Sequence, residues 1–133
     1  MNSRYGLVAE RARHRCEYCR APEVIFNFPF EVEHIVPPKR GGSARDDNLA
    51  LSCRACNLHK AKHVEAKDPE TAETCRLFHP RQNVWNEHFR ADSHSGSITG
   101  LTAAGRATVY RLKMNAPTQL AARRAWARLG LFP

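Results

Sequence analysis

The sequence predicts an α+β chain: a ββα unit built around a tetrahedral metal site, then a small β-meander and two helices. Three observations carry the prediction. Four of the five cysteines stand in two C-x-x-C pairs, Cys16 with Cys19 and Cys53 with Cys56. The stretch between the pairs holds two β-rich segments, and a helical pattern opens at the second pair. Beyond residue 66, three β-rich pieces precede two segments with helix-start signals.

Tyr5, Val8, Ala9 and Ala12 recur at the spacing of one helical face, with Ser3 available as an N-cap, so residues 4–13 read as a short amphipathic helix. It delivers the chain to Cys16. A two-residue gap lets both thiolates of a pair reach one Zn²⁺ at about 2.3 Å, and in a reducing compartment metal explains the pairs better than disulfides. Four thiolates leave no open position on the ion, so the zinc is structural. Cys75 is left over and reads as a small buried hydrophobe.

The 33 residues between the pairs (20–52) must hold structure of their own. Residues 24–28 (VIFNF) and 30–36 (FEVEHIV) are β-branched and aromatic, and read as extended segments interrupted at Pro29. KRGGSARDD is a turn-rich loop, NLALS (48–52) a short apolar strand, and RACNLHKAKH (54–63) a helix. Residues 1–66 thus form a core unit with its N-terminal helix.

Residues 67–133 are expected to pack on that core within one compact domain. TCRLF (74–78), VWNEHFR (84–90) and SITGL (97–101) read as the meander, with turns at HPRQN and ADSHSG. Thr102 caps a helix running to about Met114, and Asn115 with Pro117 starts another to about Leu129. Arg123, Arg124 and Arg128 read as the solvated face of that last helix.

Lys plus Arg outnumber Asp plus Glu by 21 to 13, a net charge of +8. Four thiolates and one Zn²⁺ would lower this to about +6. The chain stays basic, which favours an anionic partner, nucleic acid or an acidic membrane surface. Its apolar runs fall far short of the ~20 residues that span a bilayer, and no aromatic-rich basic amphipathic stretch suggests an interfacial anchor. The N-terminus lacks an apolar signal core, so the expected compartment is the cytoplasm.

Glu33 and His34 stand side by side near the end of the second extended segment. Such a pair is either solvated on a strand edge or placed to act. If both cysteine pairs share one zinc, the helix beginning near Arg54 folds back on that strand. Glu33, His34, Asn57, His59, Lys60 and His63 then come within reach of one cleft. The set contains what phosphodiester hydrolysis needs: an imidazole base, oxygen ligands for a hard divalent ion, and a cation for the phosphate.

CEYC, then EVEHIVPPKRGG, then DNLALSCRACNLHK, over residues 16–60, resemble the HNH endonucleases in the form stapled by a four-cysteine zinc site. The resemblance implies a ββα-metal, treble-clef-like core and a metal-dependent DNA endonuclease that leaves 5′-phosphate and 3′-hydroxyl ends. His34 corresponds to the general base, and Asn48 to the asparagine that orients it and pins the loop. Glu33 and Asn57 correspond to ligands of a catalytic Mg²⁺ or Mn²⁺, and Lys60 to a phosphate contact. Lys39 and Arg40 in the loop, with Arg54 and His59 on the helix, are the expected nucleic-acid contacts.

Two points stay open at this stage. Glu33 and His34 would point to opposite faces of an ideal strand. Asn57 is a weak neutral ligand, and His59 or His63 could instead hold a softer ion such as Ni²⁺ or Zn²⁺, or serve the phosphate. The alternative function is a non-catalytic, zinc-containing nucleic-acid-binding module, and the sequence leaves the oligomeric state open, monomer or dimer.

Overall fold

The computed structural model describes residues 2–133. Helix α1 spans Tyr5–Arg11 and buries Val8 and Ala9, as their spacing requires. Ser3 is not its cap: the helix begins after Arg4 without a side-chain cap, and Asn2 Oδ1 accepts the Arg4 amide at 2.7 Å. It ends in a Schellman turn. Arg13 takes the left-handed conformation (φ 55°), with the Arg13 and His14 amides donating to the Glu10 and Ala9 carbonyls.

Residues 24–28 are not extended. They open in a 3-10 turn at Glu23–Ile25 and continue as an exposed bend, because the buried Glu23 carboxylate gathers the chain around itself. It accepts from the Tyr5 hydroxyl and the Phe30 amide and pairs with His14 at 2.6 Å. Strands β1 (Glu31–His34) and β2 (Leu49–Ser52) then form an antiparallel ribbon, Glu33 opposite Ala50 and His34 opposite Leu49. Helix α1 packs on both strands, and α2 (Arg54–Lys60) packs on β1. Helix α2 is shorter than expected: Ala61 turns to φ 50°, so His63 lies off it.

The single meander gives way to two separate ribbons. β3 (Glu65–Lys67) pairs with β4 (Thr74–Arg76), and β5 (Phe89–Ala91) with β6 (Ile98–Gly100). Residues 84–90 begin as a one-turn helix, α3 (Trp85–His88), before entering β5. The turn sets Trp85 beside Phe89, ring centroids 5.0 Å apart, while the indole donates to Tyr18 O at 2.8 Å. Helix α4 (Ala103–Arg111) starts at the expected Thr102 cap, whose hydroxyl accepts the Gly105 amide at 3.0 Å. Helix α5 (Pro117–Arg128) carries Pro117 in its first turn.

Arg123 is not on a solvated face. It is 1 % exposed, and its guanidinium donates to the Gly96 and Met114 carbonyls and to Asn115 Oδ1. Apolar side chains from both halves, among them Val8, Tyr18, Leu51, Phe78, Phe89, Ile98 and Trp126, form one core cluster. Among the described residues, no helix is long and apolar enough to cross a membrane.

The turn between β3 and β4 is clamped to α4. Asp68 is fully buried and receives a two-pronged contact from Arg106, Nε at 3.0 Å and Nη2 at 2.8 Å, with the Glu70 amide and Thr71 hydroxyl completing its shell. Hydrogen bonding from Arg106, ahead of the other contacts, holds its carboxyl down to about 2. A carboxyl depressed on folding stabilises above its unfolded value, near 4, and that contribution is lost as pH falls toward 2. The wild type is therefore expected to lose more stability between pH 5 and pH 2.5 than Asp68→Asn, compared by urea midpoints. Equal losses would mean that the clamp does not titrate with folding.

Candidate functional site

The four paired cysteines meet. Their sulfurs all lie within 4.8 Å of one another, every one buried. Local structure explains the convergence. The Cys16–Cys19 knuckle is closed by the Cys16 amide donating to Ala21 O and the Arg20 amide to Cys16 O, and Glu17 ties it to β2 through both amide and carboxylate contacts with Leu51. Cys53 caps α2, its sulfur accepting the Cys56 amide at 3.4 Å. Cys19 and Cys53 sulfurs stand 3.7 Å apart, near the edge of about 3.8 Å of a tetrahedron with 2.3 Å bonds. Four soft sulfurs in that geometry fit Zn²⁺. Cys75 stands apart, half-buried, its thiol donating to Glu73 O.

Glu33 and His34 emerge on opposite faces of β1, as strand alternation dictates. Glu33 turns inward. Its Oε1 accepts from the Tyr18 hydroxyl at 2.5 Å and lies 3.4 Å from Lys60 Nζ. Burial pushes the Glu33 carboxyl up, against the opposing pull of the Lys60 ammonium, and burial with the Glu33 charge pushes the Tyr18 phenol well above its ordinary value. His34 is half-buried, with no hydrogen bond from its ring among the described residues.

Lys60 corrects an expectation. It is 1 % exposed, and its ammonium donates to Ile35 O at 2.9 Å besides pairing with Glu33. An ammonium enclosed between a carboxylate and a carbonyl does not reach a solvent-side phosphate; it clasps α2 to the end of β1. Asn57, half-buried on the same helix, makes no side-chain hydrogen bond among the described residues.

Asn48 locks the loop that follows His34. Its Oδ1 accepts the Val36 amide at 2.9 Å, and its Nδ2 donates to Val36 O at 2.9 Å and Ser43 O at 2.7 Å. Gly42 completes the latch, since a Cβ there would lie 1.6 Å from Val36 O. The contact is to the loop backbone, with none to the His34 ring. Asn48→Ala leaves three backbone groups without their partner and is expected to cost about 2–4 kcal/mol. Asn48→Asp, which keeps the acceptor and loses both donors, should fall between the two; a urea midpoint within error of wild type for Asn48→Ala would refute the latch.

Lys39 and Arg40 are exposed in a 3-10 turn at Pro38–Arg40, and Arg54 is exposed at the start of α2. His59 departs from expectation: it lines a groove toward α5 with Leu58, Ala122 and Trp126, its Nδ1 buried without a partner. His63 Nε2 lies 3.5 Å from Arg111 Nη1 on α4. Two contributors had no legible signal: Tyr18, indistinguishable from a spacer between two cysteines, and Gly42, one of two loop glycines.

A family model described as HNH endonuclease matches residues 16–63, from the first paired cysteine to just past α2. This segment is similar to the HNH endonuclease family. It comprises the knuckle, the β1–β2 ribbon, the latched loop and α2, with the cysteine cluster joining the knuckle to the junction of β2 and α2. No curated protein and no solved structure matches the chain. The matched segment covers a little over a third of the sequence, and the remaining elements pack on it through Phe78, Phe89 and Trp126.

Proposed function

We propose that the chain is a metal-dependent DNA endonuclease in which His34 removes the proton of the attacking water. The observation that carries this reading is the double fastening around His34. The Lys60 clasp fixes β1 to α2 on one side, and the Asn48 latch fixes the loop on the other. A rigid mount without a competing partner for the ring suits a general base.

Glu33 and the Asn57 amide oxygen are the proposed holders of a divalent ion. Both contacts to Glu33 fall on Oε1, which leaves Oε2 as a donor to an ion. One carboxylate and one neutral oxygen suit Mg²⁺ or Mn²⁺, which retain waters and use substrate phosphate for the remaining positions. The imidazoles that would favour Ni²⁺ face elsewhere, His59 toward α5 and His63 toward α4. When bound, such an ion would neutralise charge on the phosphate and the leaving oxygen. The expected ends are 5′-phosphate and 3′-hydroxyl.

The Glu33–Lys60 pair also favours a second reading, a zinc-bearing nucleic-acid-binding module without hydrolysis, because a carboxylate satisfied by Tyr18 and Lys60 needs no ion. Nicking of supercoiled plasmid in Mg²⁺ or Mn²⁺ separates the two. The nuclease predicts divalent-dependent relaxation that His34→Ala slows by about 10²–10⁴-fold; equal cutting by wild type and variant would overturn it.

A further inference from the structure

A concavity of about 320 Å³ opens where α1 meets the first cysteine knuckle, lined by Arg11, Arg13, Arg15, Arg20, Glu17 and Trp85. None of these arginines figures in the site described above. Arg13 is exposed, and its side chain has no partner among the described residues. Arg15 donates only to a carbonyl, Arg20 O, at 3.0 Å. Arg11 likewise spends its donors on the Asp46 and Leu49 carbonyls. The Arg20 guanidinium lies 4.2 Å from the centroid of the Trp85 ring. The one lining carboxylate, Glu17, is already engaged by Arg81 and the Leu51 amide.

Four guanidiniums that stay charged at any physiological pH thus share a hollow with no free counter-charge. The backbone points the same way. Arg13 (φ 55°) and Arg20 (φ 68°) occupy the left-handed region, where glycine fits without strain and a side chain does not. Two positions that the fold would fill most easily with glycine carry arginine, both facing one hollow.

We infer that this arginine hollow binds backbone phosphate of a DNA strand. Guanidinium forks match phosphate oxygens, and an anion relieves the repulsion among the four cations. The hollow shares Phe78 and Asn83 with a second concavity of about 250 Å³ that borders Ile35 and Val36, the residues after His34. A strand seated on the arginines therefore runs along a wall that ends beside the candidate site. The inference rests on the nucleic-acid reading of the chain but not on hydrolysis.

The test is binding of a fluorescein-labelled 20-base-pair duplex to the zinc-loaded full chain, without added Mg²⁺ or Mn²⁺, across a salt series. Arg13→Gln and Arg15→Gln should each weaken binding several-fold and reduce the slope of log K against log salt by about one, with Arg13→Lys restoring the slope. Arg13, exposed and unpartnered, guards against misfolding as the explanation. Unchanged affinity and slope in the Arg13→Gln/Arg15→Gln chain would overturn the inference even if wild type cuts plasmid. An arginine-dependent slope in a chain that never cuts would support it while the nuclease reading fails. Binding of polyglutamate with none of the duplex would overturn both.

Discussion

Stripping the ion from the four-cysteine cluster, or replacing Cys53 by Ser, is expected to unfold residues 16–63 rather than weaken them. The sulfurs come from the knuckle after α1 and from the junction of β2 with α2, so one ion would join the knuckle to the strand that pairs with β1 and to the helix that carries Asn57. Structural zinc contributes about 10–16 kcal/mol in small domains. A whole domain is stable by only about 5–15 kcal/mol, so the loss exceeds what the remaining contacts supply. The β1–β2 ribbon has four residues per strand, and α2 has seven residues, too few to persist alone. Circular dichroism and urea titration after chelation, with metal content measured in parallel, provide the check. Cys75→Ser should behave as wild type because its sulfur lies outside the cluster. An unchanged urea midpoint after full metal loss would show that the cluster holds no structural ion.

His34→Ala should lower the cleavage rate by about 10²–10⁴-fold, the range for a positioned general base, while leaving fold and DNA affinity intact. On the barrier this amounts to about 3–5 kcal/mol. Because the His34 ring engages in no hydrogen bond among the described residues, truncation removes no structural contact of that kind. Glu33→Gln offers the contrast. It leaves the buried Lys60 ammonium without its counter-charge and should destabilise the chain by about 3–5 kcal/mol. Plasmid nicking in Mn²⁺, thermal melting and anisotropy on the same preparations separate the two effects. If His34→Ala retained wild-type cutting, the base would have to be another group.

The features legible in advance were those written in short spacings. Two C-x-x-C pairs, a β-branched stretch ending at Pro37 and Pro38, the Thr102 cap and Pro117 in a first turn each depend on neighbours in the chain. Residues 84–90 show where composition misleads. Their aromatic and β-branched content suits a strand, yet a single helical turn wins because it sets Trp85 on Phe89 and its indole on Tyr18 O. One turn is too short to leave a period in a sequence. Strand β3 was hidden for a related reason: its partner β4 begins beyond a turn held by Arg106, 38 residues from Asp68.

The candidate site divides along the same line. Which residue types are present, and that a metal must gather them, follows from the amino-acid order alone, because thiolate spacing and adjacent Glu33 and His34 are local chemistry. What each charge does was decided only in three dimensions. Lys60 could have met a phosphate, Arg123 could have faced solvent, and Arg13, Arg15 and Arg20 could have been scattered cations. A charge takes its role from the groups that surround it, and those groups arrive from distant parts of the chain when the core closes.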